Sequence, residues 1–438
     1  MDNTPKKKIG LALSGGGYRA AAYHIGTLRA LNRLGILDNI DVISSVSGGS
    51  ITAAYYALHK DDYDGFERSF IEKLQKGVMT GAIINLTAVI LLIVLSVWCL
   101  GWWILFLDMF LLFFFCYQLL PLSFWITRAY NKSFFKKAKL SDLPAKPLLA
   151  INSTNVTTGT LFTFSQGEEK GESAHKNEAT TFNYKIFPVA TAVMASSCVP
   201  FAFSPIKIGK KYYTGHAGKR AKRPLLIDGG LYDNQGAHKL SEGKSRYHAQ
   251  RIIVSDAGVG VMNEKWAFNI LLMLVKTSNI MMRRIKTFQK RNNIYSKRDV
   301  GVRYAYVSLE WGESEPGRGS DYPVQRFVNN ILKEHIAPEL YRHHSIKEED
   351  VADLKSKSRS IRSAASLRLT EHLKQNIKWR ELEAIRPTKD EYNTAKAVGT
   401  NLTSLRKRQI DALIKHSNWL AELHIRLYLP YLITKSAP

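Results

Sequence analysis

Ile40-Asp41-Val42-Ile43-Ser44-Ser45-Val46-Ser47-Gly48-Gly49 decides the reading of this chain. The run 40–43 is short and, apart from Asp41, apolar and β-branched, as a buried strand is. It breaks at Ser44–Gly49, and 51–58 then reads as a helix. A serine on a tight strand-to-helix turn with small neighbours is the pattern of a nucleophile elbow. There Gly48 and Gly49 give the turn room, and the helix N-terminus stabilises a developing alkoxide. A Ser-rich helix cap fits the same ten residues.

Upstream, 9–13 is a second buried strand, ended by Ser14-Gly15-Gly16-Gly17-Tyr18-Arg19, and 20–34 has helical spacing. Strand, glycine turn, helix, strand, serine turn, helix is the alternation of a parallel α/β sheet. Consecutive glycines let backbone N–H groups converge on an anion. That anion is a phosphate or the oxyanion of a tetrahedral intermediate, although the turn lacks the Lys and Ser/Thr of a P-loop. A plain tight turn is the third option. Downstream, Leu225-Leu226-Ile227-Asp228-Gly229-Gly230 is a strand ending in an acid. The expected position of Asp228 is the carboxyl end of a parallel strand, where open α/β sheets bind ligands. Taken alone, these residues read first as an Asx turn closing a strand.

Strands are also expected at 148–153, 160–164, 206–213, 224–227, 251–255 and 302–309, with a polar loop at 165–183. A small helical segment follows at 188–200. From about 338 the pattern is helical, with a capping box at Ser345–Glu348 and a final helix whose apolar face carries Ile410, Leu413, Ile414, Leu420, Leu423 and Leu427.

Between the serine turn and the acid lies an apolar block. From 77 to 127 the sole charge is Asp108. The 46 residues 81–126 are too many for one crossing of about 20 residues and fit two. Trp98, Trp102 and Trp103 near its middle suit a headgroup-level belt. Arg68, Lys73 and Lys76 precede it, and Arg128, Lys132, Lys136, Lys137 and Lys139 follow it. Positive flanks on both sides predict a helical hairpin with both ends in the cytosol, and Asp108 at its far turn rather than paired inside an oligomer. A long buried core hairpin is the alternative.

Lys and Arg together number 62 against 37 Asp and Glu, a formal net charge of +25. This excludes an acidic solvating chain, and the 45% hydrophobic content excludes a mostly disordered one. Two clusters hold much of the charge. Lys207, Lys210, Lys211, Lys219, Arg220, Lys222 and Arg223 precede Asp228 and are candidate lipid-headgroup or membrane contacts. Lys276, Arg283, Arg284, Lys286, Lys290, Arg291, Lys297 and Arg298 follow an apolar segment on one expected helix. No nucleic-acid reader motif accompanies them. Cys99, Cys116 and Cys198 form neither a disulfide framework nor a metal set.

In order and context, Gly15–Arg19, Ser45–Gly49 and Asp228-Gly229-Gly230 together resemble the patatin-like phospholipase family. AVMASSCVPFAFSP (192–205), DGGLYDNQG (228–236) and RIIVSDAG (251–258) extend the resemblance, which covers about 1–76 and 147–260. It implies a three-layer α/β/α sandwich with a mainly parallel central sheet, interrupted by the hairpin. The expected units are the first half of the catalytic domain (1–76), the hairpin (77–130), the second half (131–330) and a C-terminal helical region packed on it (331–438). The resemblance further implies a Ser47–Asp228 dyad, with Ser47 as nucleophile and Asp228 as general base. Gly15, Gly16, Gly17 and Tyr18 form the implied oxyanion hole, with Arg19, Gly229 and Gly230 in support. The implied activity is phospholipase A-type cleavage of glycerophospholipid acyl esters at an anionic bilayer, without cofactor or metal, in a chain that oligomerises or stands alone. A transacylase with the same dyad and a lipid-binding scaffold are the rivals. The family usually has Gly where Ser45 stands. His24 is expected to be structural or to lie at the mouth, since the dyad has no place for it.

Overall fold

A computed structural model describes residues 7–167, 181–214, 223–258, 270–295, 302–311 and 321–434. The first alternation is β1 (Ile9–Leu13), α1 (Gly17–Arg33), β2 (Val42–Val46) and α2 (Gly48–Leu58). β1 and β2 pair in parallel, with Leu13 opposite Ser45. Every residue of both strands is buried, because helices cover both faces, and so neither strand alternates apolar with polar. The later strands are β3 (Leu148–Asn155), β4 (Thr160–Phe164), β5 (Thr181–Phe182), β6 (Ile206–Lys207), β7 (Tyr213–Thr214), β8 (Leu225–Asp228), β9 (Arg251–Asp256) and β10 (Arg303–Ser308). The main sheet runs β10-β9-β1-β2-β3-β8-β6, with β4 also on β3, while β5 pairs with β7 alone.

The five strands from β10 to β3 are parallel. β4, β8 and β6 join antiparallel, so Asp228 does not end a parallel strand as expected. β8 pairs only with the part of β3 that outruns β2: Asn152 faces Val46, and Ser153 faces Asp228. It therefore arrives from the opposite direction and stops one residue from the level at which β2 stops. An antiparallel strand delivers the acid to the same edge.

Other expectations shift locally. The strand expected over 206–213 is broken: Ile206–Lys207 joins the main sheet, the chain turns through Lys210–Tyr212, and Tyr213 begins the separate strand β7. The capping box expected at Ser345 is absent. Ser345 takes φ 51° to leave the helix Pro338–His343, and Lys347 is the N-cap of the next helix without a side-chain bond. A capping box forms instead between Thr388 and Glu391. The last helix, Lys407–Tyr428, packs on α1 and β10. It is buried nearly all round, including Glu422, which pairs with Arg426 and Arg33. Gly26 of α1 lies against the Ile414 carbonyl, where a β-carbon has no room. Most of the expected loop at 165–183, Lys219, Arg220, Lys222, Lys297 and Arg298 lie outside the described residues.

After α3 (Tyr63–Leu74) the apolar block forms α4 (Thr80–Leu100), α5 (Ile104–Leu119) and α6 (Leu122–Tyr130). Among the described residues two segments are long and apolar enough to cross a membrane, Thr80–Leu100 and Ile104–Phe135. At 1.5 Å per residue α4 is about 31 Å long and α5 about 24 Å, against a hydrocarbon core of about 30 Å. Both arms are bare, as in Ile84, Leu92, Phe106 and Phe113. Only the roots enter the core: Ala82 of α4, and Ser123, Ile126 and Tyr130 of α6. Gly101, at φ 91°, makes the turn, and Trp98, Trp102 and Trp103 are exposed around it. Asp108 is not at that turn. It lies within α5 and accepts a hydrogen bond from Ser96 Oγ of α4 at 2.5 Å. Glycine supplies the reversal, and the carboxyl group finds its partner on the facing helix.

Candidate active site

Ser47 sits between β2 and α2 at φ 51°, ψ −120°. For a residue with a side chain this conformation costs roughly 1–3 kcal/mol and persists only when its surroundings fix it. Ser196, the last residue of α7 (Val189–Ser196), does much of that. Its Oγ accepts the Ser47 N–H at 2.9 Å and donates to the Asn152 carbonyl at 2.6 Å. Its carbonyl accepts the Gly229 N–H at 3.3 Å. One residue thus ties the serine elbow to the turn after Asp228. Gly48 and Gly49 are helical. They are glycine because β-carbons there meet the carbonyls of Gly17 and Leu13, so the two turns can pack against each other.

Ser45, where the family resemblance expects glycine, is accommodated at no unsatisfied polar cost. Its Oγ donates to the Ala150 carbonyl at 3.3 Å and accepts from Ser50 Oγ at 3.1 Å. Asp228 is buried. One carboxylate oxygen accepts the Gly230 N–H at 2.6 Å, and the side chain hydrogen-bonds that of Ser47. Burial pushes the carboxyl up from 3.8 to about 6, and these two hydrogen bonds partly offset the rise. Ser47 and Asp228, 181 positions apart in sequence, are brought into contact.

The glycine turn differs in detail from the expected four-donor hole. The Gly15 N–H donates to the Asn234 carbonyl at 2.9 Å, and the Tyr18 N–H to the Asn401 carbonyl at 2.8 Å. Both are spent on holding the loop and do not face an oxyanion. The N–H groups of Gly16 (φ 142°), Gly17 (φ 59°) and Gly48 have no partner among the described residues. Tyr18 turns its ring inward, edge-on to Phe134 at 6.3 Å. Arg19 is also buried. Its guanidinium donates to the Val398 carbonyl at 3.1 Å, and burial lowers it to about 10 despite the nearby Asp256.

His24 is fully buried. Its ring nitrogens contact Ser255 Oγ at 2.8 Å and the Ser14 carbonyl at 2.9 Å. Burial drops it to about 4, so it stays neutral as a strut between α1 and the ends of β1 and β9. Lys207 pairs opposite Leu225 on the edge strand, three residues and so about 10 Å along β8 from Asp228. Lys207 thus lies on the outer edge of the sheet, and Lys210 and Lys211 follow it, exposed, in the next turn. Ser196, Asn234 and Asn401 are site residues that the sequence did not single out individually. Ser196 stood within the quoted 192–205 segment, whereas Asn401 has no local signature at all. Among the described residues no group of three or more His, Cys, Asp or Glu is placed to hold a metal.

A mixed α/β sheet presenting a strained serine beside a buried acid is a hydrolase-type framework. The model of the patatin-like phospholipase family matches residues 11–240, more than half of the chain, and the protein belongs to that family. It is accordingly a lipid hydrolase. Among solved structures, VipD from Legionella pneumophila is 14% identical with a TM-score of 0.31, over 99% of this chain and 89% of that one. Human GIVD cytosolic phospholipase A2 is 11% identical with a TM-score of 0.43, over 96% of this chain and 62% of that one. The same human protein in complex with methyl gamma-linolenyl fluorophosphonate gives 12% and 0.42, over 96% and 59%. No curated protein matches significantly.

Proposed function

We propose that this protein is a membrane-anchored phospholipase A-type acyl hydrolase using Ser47 and Asp228. The observation that carries this reading is the contact between a serine held in a strained elbow and an acid raised by burial to about 6. At neutral pH such an acid is ionised yet far more basic than an ordinary aspartate, and so matched to general-base work. Ser47 Oγ attacks the ester carbonyl of a glycerophospholipid while Asp228 takes its proton. The Gly16 and Gly17 N–H groups receive the developing oxyanion, each contributing about 3–4 kcal/mol. Asp228 returns the proton to the departing lysolipid alcohol and leaves an acyl-serine. Water, deprotonated by Asp228, then releases the fatty acid and restores the serine.

The bare arms of α4 and α5 form a hydrophobic hairpin in the bilayer, and their shared root keeps Ser47 and Asp228 on one side of it. The basic flanks support a cytosolic position for that side. Lys207, Lys210 and Lys211, at and beyond the β6 edge, face anionic headgroups, each worth about 1 kcal/mol near such a surface. The test is purification in detergent, labelling with a fluorophosphonate, and assay of fatty-acid release from mixed phospholipids. Wild type is expected to label and hydrolyse, and Ser47→Ala to do neither. An unlabelled, inactive wild type overturns the reading, and an active Ser47→Ala overturns the site.

A further inference from the structure

The helix Ile270–Tyr295 presents its polar side inward. Lys286 ion-pairs with Asp256 at 2.5 Å, Gln289 hydrogen-bonds the Asp233 carboxylate, and the Lys290 ammonium lies 3.8 Å over the Trp311 ring. Its outward side carries Leu274, Met281 and Phe288, with Met273 and Ile280 alongside. Met281 is 61% and Phe288 62% exposed. Seven-residue spacing is two helical turns, so these side chains form one stripe. Helices of soluble proteins hide such a stripe against the core, and nothing among the described residues covers this one.

The charges beside the stripe indicate what covers it. The 26 residues of the helix contain no Asp or Glu, while exposed Arg283, Arg284 and Arg291 interleave with the apolar side chains. The Arg284 guanidinium rests 5.1 Å from the Phe288 ring. Two such faces brought together set arginine against arginine with no acid between them, which disfavours a second copy. An apolar stripe with cationic borders fits an anionic lipid surface. The inner side of the helix fixes where that surface lies. Asp233 follows Asp228 by five residues, and Asp256 ends β9 beside the glycine turn, where the Ala257 N–H donates to Ser14 Oγ at 2.8 Å.

We propose that Ile270–Tyr295 is an interfacial helix. Its stripe inserts among the acyl chains of an anionic leaflet, its arginines meet the lipid phosphates, and its inner face holds the loops of the site against the bilayer. This rests on the reading of the chain as a hairpin-anchored lipid hydrolase.

The experiment uses the full chain in proteoliposomes of phosphatidylcholine with or without phosphatidylglycerol. A fluorophore is placed on Met281→Cys or Phe288→Cys in a Cys99→Ser, Cys116→Ser background, with exposed Leu367→Cys as control. Doxyl-labelled lipid is expected to quench positions 281 and 288 when phosphatidylglycerol is present, and not position 367. Quenching by aqueous iodide alone at 281 and 288 overturns the proposal. So does a concentration-dependent dimer in detergent that Met281→Glu with Phe288→Glu abolishes. In the same double variant, hydrolysis of vesicle lipid is expected to fall about tenfold or more, with fluorophosphonate labelling in detergent retained as evidence that the site still assembles. Unchanged vesicle hydrolysis overturns the proposal. If wild type neither labels nor hydrolyses, the hydrolase reading fails by itself, and the quenching result still decides the helix.

Discussion

Replacing Asp228 by Asn is expected to abolish activity and yet make the protein more stable, with a pH dependence that follows from burial. In the folded chain the carboxyl group titrates near 6, whereas 3.8 is its ordinary value. Below about pH 4 the group is protonated in folded and unfolded chains alike and contributes nothing. Between about 4 and 6 the unfolded chain ionises while the folded one holds its proton, so stability falls as pH rises. Above 6 the full cost stands: about two pKa units at 1.36 kcal/mol each, or about 3 kcal/mol. Asn carries no such charge and fits the site. Its carbonyl can keep accepting the Gly230 N–H, and its amide can donate to Ser47 Oγ in place of the bond that Ser47 makes now. Thermal melts in detergent from pH 4 to 8 are expected to show Asp228→Asn gaining several degrees in Tm over wild type by pH 8, with the gain vanishing near pH 4. Over the same range wild-type kcat/KM is expected to rise with a midpoint near 6, as the base ionises, while the variant stays at background. A Tm difference that is flat with pH, or a variant less stable at pH 8, refutes the claim that Asp228 is held ionised at a cost.

Gly17→Ala places a β-carbon against the Asn401 carbonyl at a residue with φ 59°. It is expected to slow fluorophosphonate labelling about 10²–10³-fold by displacing an oxyanion donor; an unchanged rate removes Gly17 from the hole. Ser196→Ala strands the buried Ser47 N–H, at about 1–3 kcal/mol. Stopped assays are expected to show kcat lowered about tenfold or more with membrane insertion intact, and a wild-type kcat refutes the role given to Ser196. Replacing 84–118 by a short Gly/Ser linker keeps the buried roots Ala82, Ser123 and Ile126. The variant is expected to leave the alkaline-carbonate pellet and still label in detergent; continued pelleting refutes the anchor.

The chemistry-bearing turns were legible because each is written in a few adjacent residues. The glycine turn, the serine elbow and the Asp-Gly-Gly strand end all lie where the sequence places them, and so does the break between β1 and α1. The direction of β8 was not legible. A four-residue apolar strand reads the same whether it joins β3 parallel or antiparallel, and only its register against Ser153 and Thr154 decides. The makeup of the donor set was hidden for a related reason. Whether a glycine N–H is free depends on carbonyls far along the chain, here those of Asn234 and Asn401.

By itself, then, the sequence determined the α/β alternation, the serine turn and the acid-ended strand as candidates, and an apolar block bounded by cations, since periodicity, turn chemistry and charge are local properties. Tertiary structure decided which N–H groups of the glycine turn are taken up by distant carbonyls, that Ser196 holds the elbow, that Asp108 pairs with Ser96, and that Ile270–Tyr295 turns its apolar stripe outward. Each of these depends on which face of an element is covered and by what. Long-range packing sets that, and no window of sequence contains it.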